Sequence, residues 1–82
     1  MEMSKHAEVR ARQRGITTAD IDIICKYGRE IYAPGGAIKY FLGKKECRHA
    51  LKYQEEKVQS VEHAKGGVLV MADGMIITAY KI

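Results

Sequence analysis

The sequence predicts an α+β domain with helices packed on one antiparallel sheet. Three observations carry this prediction. Segments 4–14, 18–27 and 44–65 repeat apolar residues at steps of three and four, the helical period. Pro34-Gly35 and Asp73-Gly74 are turn signals, each set between two strand-like runs. The length of 82 residues leaves room for one core, so residues 1–82 form a single domain. The expected order is α-α-β-β-α-β-β. It has two N-terminal helices, a four-stranded sheet made of two hairpins, and a long helix between the hairpins.

The first helix runs from about Ser4, its cap, to Arg14, and Gly15 ends it. Ala7 and Ala11 form a narrow apolar edge. The second helix, about Thr18 to Tyr27, has a stronger start signal. Thr17 caps it, Asp20 stands at capping-box spacing, and Ile16 and Ile21 match a hydrophobic staple. Ile21, Ile24 and Cys25 share its buried face, and Gly28 suits the residue after its last turn.

Arg29–Ala33 alternates and reads as a strand. Pro34-Gly35 fits a type II turn. Ala37–Leu42 is the second strand, with Ile38, Tyr40 and Leu42 on one face and Lys39 and Phe41 on the other. Residues 44–65 contain no Pro or Gly, and Cys47, Ala50, Leu51, Gln54, Val58 and Val61 make a helical stripe. Cys47, Ala50, Leu51, Val58 and Val61 are expected to face the sheet. Gly66-Gly67 ends that helix. Val68–Ala72, Asp73-Gly74 and Met75–Tyr80 form a hairpin with a primed two-residue turn. Its arms are nearly all apolar, as in strands covered on both faces. Thr78 and Tyr80 are the polar exceptions, and they share a face.

Hydrophobic residues are 46% and charged residues 29% of the chain, an ordinary globular balance that does not predict disorder. The net charge of +4 favours anionic partners. No apolar run approaches the roughly 18 residues of a membrane span, and the N-terminus lacks the apolar core of a signal peptide. The chain therefore reads as cytoplasmic, with no membrane partner. Cys25 and Cys47 form no CxxC pair and are expected as reduced, buried thiols. His49 and His63 are too far apart on one straight helix for a shared metal. Cys47-Arg48-His49 does not converge either. No phosphate-cradling loop or nucleophile elbow is present. No metal site and no cofactor are expected. A core this small makes a homodimer or a protein partner an expectation.

The chemistry-bearing residues cluster at the two ends of the chain. His6, Arg10 and Arg14 stand one helical turn apart on a single stripe, with Gln13 beside them. A neutral-pH acid/base and two permanent cations suit an anion, and phosphate is the candidate. The bland alternative is a solvated basic helix. Thr78 and Tyr80 place two hydroxyls on a dry strand, where they need partners. Their bland alternative is a good strand former beside a rim aromatic. Lys5 and Lys39 are further cations for a nucleic-acid contact.

The opening His6-x3-Arg10-x3-Arg14-Gly15-Ile16 is followed by a Thr-rich cap. Together with the ending Asp73-Gly74-Met75-Ile76-Ile77-Thr78-Ala79-Tyr80, it resembles a bacterial domain-of-unknown-function family. That family is grouped with the RelE/ParE-like toxins in the barnase-EndoU-colicin-RelE superfamily. The resemblance implies helices on a four-stranded antiparallel sheet. It also implies a catalytic set of His6, Arg10, Arg14, Thr78 and Tyr80, an RNA substrate and a cognate antitoxin protein. The long helix between the hairpins departs from the usual toxin pattern.

Metal-independent RNA cleavage needs a base, an acid and donors for the phosphoryl oxygens. His6 would be base or acid, Arg10 and Arg14 would grip the phosphate, and Thr78 and Tyr80 would orient it or stack a base. For this, Ala7 and Ala11 should dock the first helix on the Thr78/Tyr80 side of the sheet. The expected function is a small RelE-like toxin-type ribonuclease. The alternatives are a non-catalytic module that binds nucleic acid or protein with the same basic face, and a structural accessory protein.

Overall fold

The computed structural model describes residues 2–53 and 56–82. A two-residue strand, β1 (Glu2–Met3), opens the chain and leads into helix α1 (Lys5–Gln13). Ser4 caps α1 by accepting the Ala7 N–H at 3.0 Å. Helix α2 (Thr18–Tyr27) begins with the full capping box. The Thr17 hydroxyl accepts from Asp20 N–H at 3.1 Å, and the Asp20 carboxylate accepts from Thr17 N–H at 2.9 Å. Ile16 and Ile21, the staple pair, are both buried. Gly28 ends α2 in an extended conformation rather than a left-handed one. Its value is close approach, since a Cβ there would overlap the Ile24 carbonyl.

Strands β2 (Arg29–Tyr32) and β3 (Ile38–Phe41) pair antiparallel across a turn in which Gly35 takes φ 80 and ψ 16. That is the third position of a type II turn, where glycine avoids strain. Strands β4 (Gly67–Ala72) and β5 (Met75–Lys81) form the second hairpin. Asp73 and Gly74 at φ 52 and 75 give its primed turn. The sheet order is β1-β5-β4-β3-β2, so β4 is central.

The structure corrects the expected topology in two places. First, the sheet is mixed and has five strands, because β1 pairs parallel with Met75 and Ile76 of β5. Two residues are too few to show an alternation pattern. Second, the single helix over 44–65 is two helices, α3 (Lys44–Tyr53) and α4 (Val58–Ala64). Glu56 and Lys57 are not helical, and Lys57 is extended with ψ 134. The Glu56 carboxylate is held instead by the Tyr27 hydroxyl at 2.8 Å and by Lys26 at 4.0 Å, both on α2. The break resets the helical phase. Cys47, Ala50 and Val61 still face inward, but Val58 turns out to 61% exposure and Leu51 is only half-buried. Gln54, also placed on that stripe, lies outside the described residues.

Helix α1 packs on β5 and α2 on β4 and β3, and α3 and α4 pack against α2. The core joins Ala7 and Ala11 of α1, Ile21, Ile23 and Ile24 of α2, Cys47 and Ala50 of α3, and Val61 and Ala64 of α4. They meet Leu69, Ile76 and Ala79 of the strands. Cys25 and Cys47 are not joined in a disulfide. Cys47 is buried as expected, whereas Cys25 is only half-buried. Burial pushes both thiols above their ordinary pKa. No helix among the described residues is long and apolar enough to cross a membrane.

Candidate functional site

Strand register determines what the uncovered face of the sheet carries. Paired residues share a face, and successive residues alternate. Leu69 and Ala79 pair with each other in the core, so their neighbours Val68, Val70, Thr78 and Tyr80 look the other way. Following the ladders across the strands gives two rows on that open face. One is Arg29, Phe41, Val68, Tyr80, and the other is Ile31, Lys39, Val70, Thr78. Arg29, Ile31, Lys39, Phe41, Val68, Tyr80 and the terminal Ile82 line a shallow groove of about 310 Å³.

The groove combines an apolar floor with aromatic walls and cations. Val68 is 2% exposed, sealed on either side by the side chains of its row. Phe41 and Tyr80 flank it from neighbouring strands, so their backbones lie about 9–10 Å apart, two strand spacings. The Arg29 guanidinium lies over the Phe41 ring at 6.0 Å, a cation–π contact. Such stacking holds the guanidinium beside the ring and leaves its edge N–H groups for an anion.

The structure separates the two ends of the expected catalytic set. Ala7 and Ala11 pack on the Ile76/Ala79 side of β5, not on the Thr78/Tyr80 side as the sequence suggested. The cause is strand phase. Ala79 offers a small side chain that lets α1 approach closely, and its neighbours then point away. Among the described residues, no hydrogen bond or ion pair joins His6, Arg10 or Arg14 to Thr78 or Tyr80. Lys39, Thr78 and Tyr80 come together on the open face. His6, Arg10 and Arg14 are exposed on α1, as is Lys5. Arg10 reaches Gln13 at 3.4 Å.

The position of that stripe follows from the helical wheel. Glu8 and Arg12 border a cleft toward the start of α2. His6, Arg10 and Arg14 occupy the opposite flank of α1, away from α2. Helix α1 packs chiefly on β5, whose outer edge pairs with β1 at Met75 and Ile76. Beyond Ile76 this edge has no strand neighbour among the described residues.

Sequence reasoning missed two features. Arg29 and Phe41 belong to the groove, and the signal was the alternation across the β2–β3 turn, which pairs them. The other is a buried carboxylate hydrogen-bonded to a histidine. Asp20 is 2% exposed, and its two carboxylate oxygens lie 2.8 and 2.7 Å from Nδ1 of half-exposed His63 on α4. Burial alone would raise the Asp20 pKa, but hydrogen bonds from the Thr17 backbone, His63 and the Thr17 hydroxyl outweigh it and hold the carboxyl below its ordinary value. Among the described residues, no group of three His, Cys, Asp or Glu side chains is arranged to hold a metal.

Comparison of the chain with protein-family models, with curated proteins and with solved structures finds no match.

Proposed function

We propose that this protein binds single-stranded RNA on the open face of its sheet. The row Arg29, Phe41, Val68, Tyr80 carries the reading, with Lys39 beside it. Aromatic rings on a flat sheet stack unpaired bases, and cations between them hold the backbone. A base-paired duplex cannot offer its base faces to such a platform. RNA is the nucleic acid that the likeness to RelE-like domains implies, and the Thr78 hydroxyl, in the neighbouring row, is a partner for a ribose 2′-hydroxyl.

Metal-independent cleavage of that RNA is the second reading. It is favoured by the His6/Arg10/Arg14 flank of α1, the helix that packs on β5. A strand that stacks on Tyr80 and leaves the groove across β5 meets two guanidiniums and an imidazole there. His6 would then move the proton while the arginines hold the phosphate. The two ends of the catalytic set would act on successive parts of one strand, not around one buried phosphate. A cognate antitoxin would compete for the same groove.

Binding of a fluorescent ribo-oligonucleotide, followed by anisotropy, tests the first reading. Each lost stacking platform costs about 1–3 kcal/mol. Phe41→Ala and Tyr80→Ala should each weaken binding by about 5-fold or more. Equal affinity for wild type and both variants would end the sheet-face reading. Gel analysis of the same RNA after long incubation without metal tests cleavage. Intact RNA would leave binding alone.

A further inference from the structure

The cations of the sheet-face groove are gathered at one end of it. Arg29 on β2 and Lys39 on β3 are diagonal neighbours on the open face, about 7–8 Å apart at the backbone. Long side chains reach across such a diagonal. Tyr80 stands at the far end, on β5, with Val68 of β4 before it. Lys81, the cation next to Tyr80, does not serve that end. It alternates to the core side of the sheet, where its ammonium donates to the His63 carbonyl at 2.8 Å. Glu30, the acid next to Arg29, faces away from the groove as well, on the side of its partner Tyr40. No acidic side chain is among the described residues that line the groove. Neither Arg29 nor Lys39 makes an ion pair among the described residues.

This polarity selects the part of a strand that fits. A site that tracks internal phosphates spreads its cations along the path of the backbone. Here two cations share one end, and the rest of the groove is apolar or aromatic. Its volume of about 310 Å³ is at the small end for a ligand pocket, which suits one nucleotide rather than a run of them. A terminal phosphate monoester carries about 1.5–2 negative charges at neutral pH, against one on an internal diester. Two cations at one place therefore favour the terminal group. The Arg29 guanidinium, seated on the Phe41 ring at 6.0 Å, presents a fork for bidentate contact, and Lys39 adds a point charge. Phe41 and Lys39 are both on β3, two strand spacings or about 9–10 Å from Tyr80 on β5. One nucleotide bridges that gap from phosphate to base. We infer that the groove is a terminal-nucleotide site, in which Arg29 and Lys39 bind the phosphate monoester of a nucleotide, free or at the end of an RNA strand, and Tyr80 stacks its base. The remainder of a bound strand leaves across β5. The inference rests on the sheet-face reading and adds to it which part of the RNA enters the groove.

The test uses the full chain and one ribo-oligonucleotide in three unlabelled forms, with a 5′-phosphate, with a 3′-phosphate, or with hydroxyls at both ends. Each competes against the same fluorescent hydroxyl-ended strand, followed by anisotropy. A nucleoside monophosphate, its nucleoside and inorganic phosphate compete in parallel. One phosphorylated strand should compete about 10-fold or more better than the hydroxyl-ended one. The nucleotide should likewise act at about 10-fold lower concentration than the nucleoside or phosphate alone. A preference in the strand arm assigns the strand end, and one confined to the nucleotide arm assigns a free ligand. Arg29→Ala/Lys39→Ala should bring either ratio to within about twofold, whatever its effect on the hydroxyl-ended strand. Lys44→Ala/Lys45→Ala removes the same charge from exposed positions on α3 and should keep the ratio. Equal competition by phosphorylated and hydroxyl forms in both arms overturns the terminal-nucleotide site and leaves the sheet-face reading standing. A preference that survives Arg29→Ala/Lys39→Ala, or inorganic phosphate that matches the nucleotide, also overturns it. A fluorescent strand that does not bind at all overturns both.

Discussion

Asp20→Asn probes the one buried carboxylate among the described residues. The side chain keeps its size, so packing is unchanged. What changes is its hydrogen-bonding capacity. In the wild type, the carboxylate accepts from Thr17 N–H at 2.9 Å and from His63 Nδ1 at 2.7 and 2.8 Å. An amide has one acceptor oxygen, and its NH₂ group is a donor. One of the two partners must lose its acceptor or face a donor. A hydrogen bond to a charged group is worth about 1.5–3 kcal/mol. His63 is half-exposed, and water replaces part of its loss. The expected destabilisation is thus about 2 kcal/mol at neutral pH. For a domain of this size that lowers Tm by about 8–16 °C.

The pH dependence has a definite sign. The folded Asp20 carboxyl sits below its ordinary pKa, so the folded state binds its proton less readily than the unfolded chain. The stability it contributes is complete above about pH 5 and is lost as pH falls through the lowered folded value, below about pH 4. Thermal unfolding by circular dichroism at about pH 7 and pH 2.5 compares stability above that window with stability in acid. The gap between wild type and Asp20→Asn should be wide at the first and narrower at the second. A gap below about 0.5 kcal/mol at pH 7, or one that does not narrow at all in acid, would refute the argument.

Leu69 is fully buried on the central strand, so Leu69→Ala should cost about 2–5 kcal/mol in urea unfolding, whereas Val58→Thr, at an exposed position, should change stability by less than about 0.5 kcal/mol. Gly67→Ala should destabilise by more than about 1 kcal/mol, because a Cβ there would overlap Ile24; an unchanged urea midpoint would contradict the packing of α2 on β4. Thiol titration should find two reactive groups in denaturant, and in the native protein half-buried Cys25 should react before buried Cys47. If RNA is cut, His6→Ala should slow cleavage tenfold or more, about 1.4 kcal/mol in barrier, and Arg12→Ala, on the other flank of α1, should do much less; equal effects would remove the stripe from the reaction.

The sequence by itself determined the local pieces. The Ser4 and Thr17 caps, the Ile16/Ile21 staple and the Asp73-Gly74 turn each depend on residues a few positions apart. Their geometry therefore follows from side-chain chemistry that short windows contain. The same holds for the faces of β3, which alternate as read. The tertiary structure decided everything that joins distant segments. It paired two residues at the start of the chain with β5, and it broke 44–65 where Glu56 found partners on α2. It also brought His63 to Asp20. The side of the sheet chosen by α1 was decided there too. Periodicity shows that Ala7 and Ala11 are buried, but their burial is equally good against either face of a strand. The small Ala79 and the helices already packed beside it select one face. That choice sends Thr78 and Tyr80 to the other, where Arg29, Lys39 and Phe41 meet them.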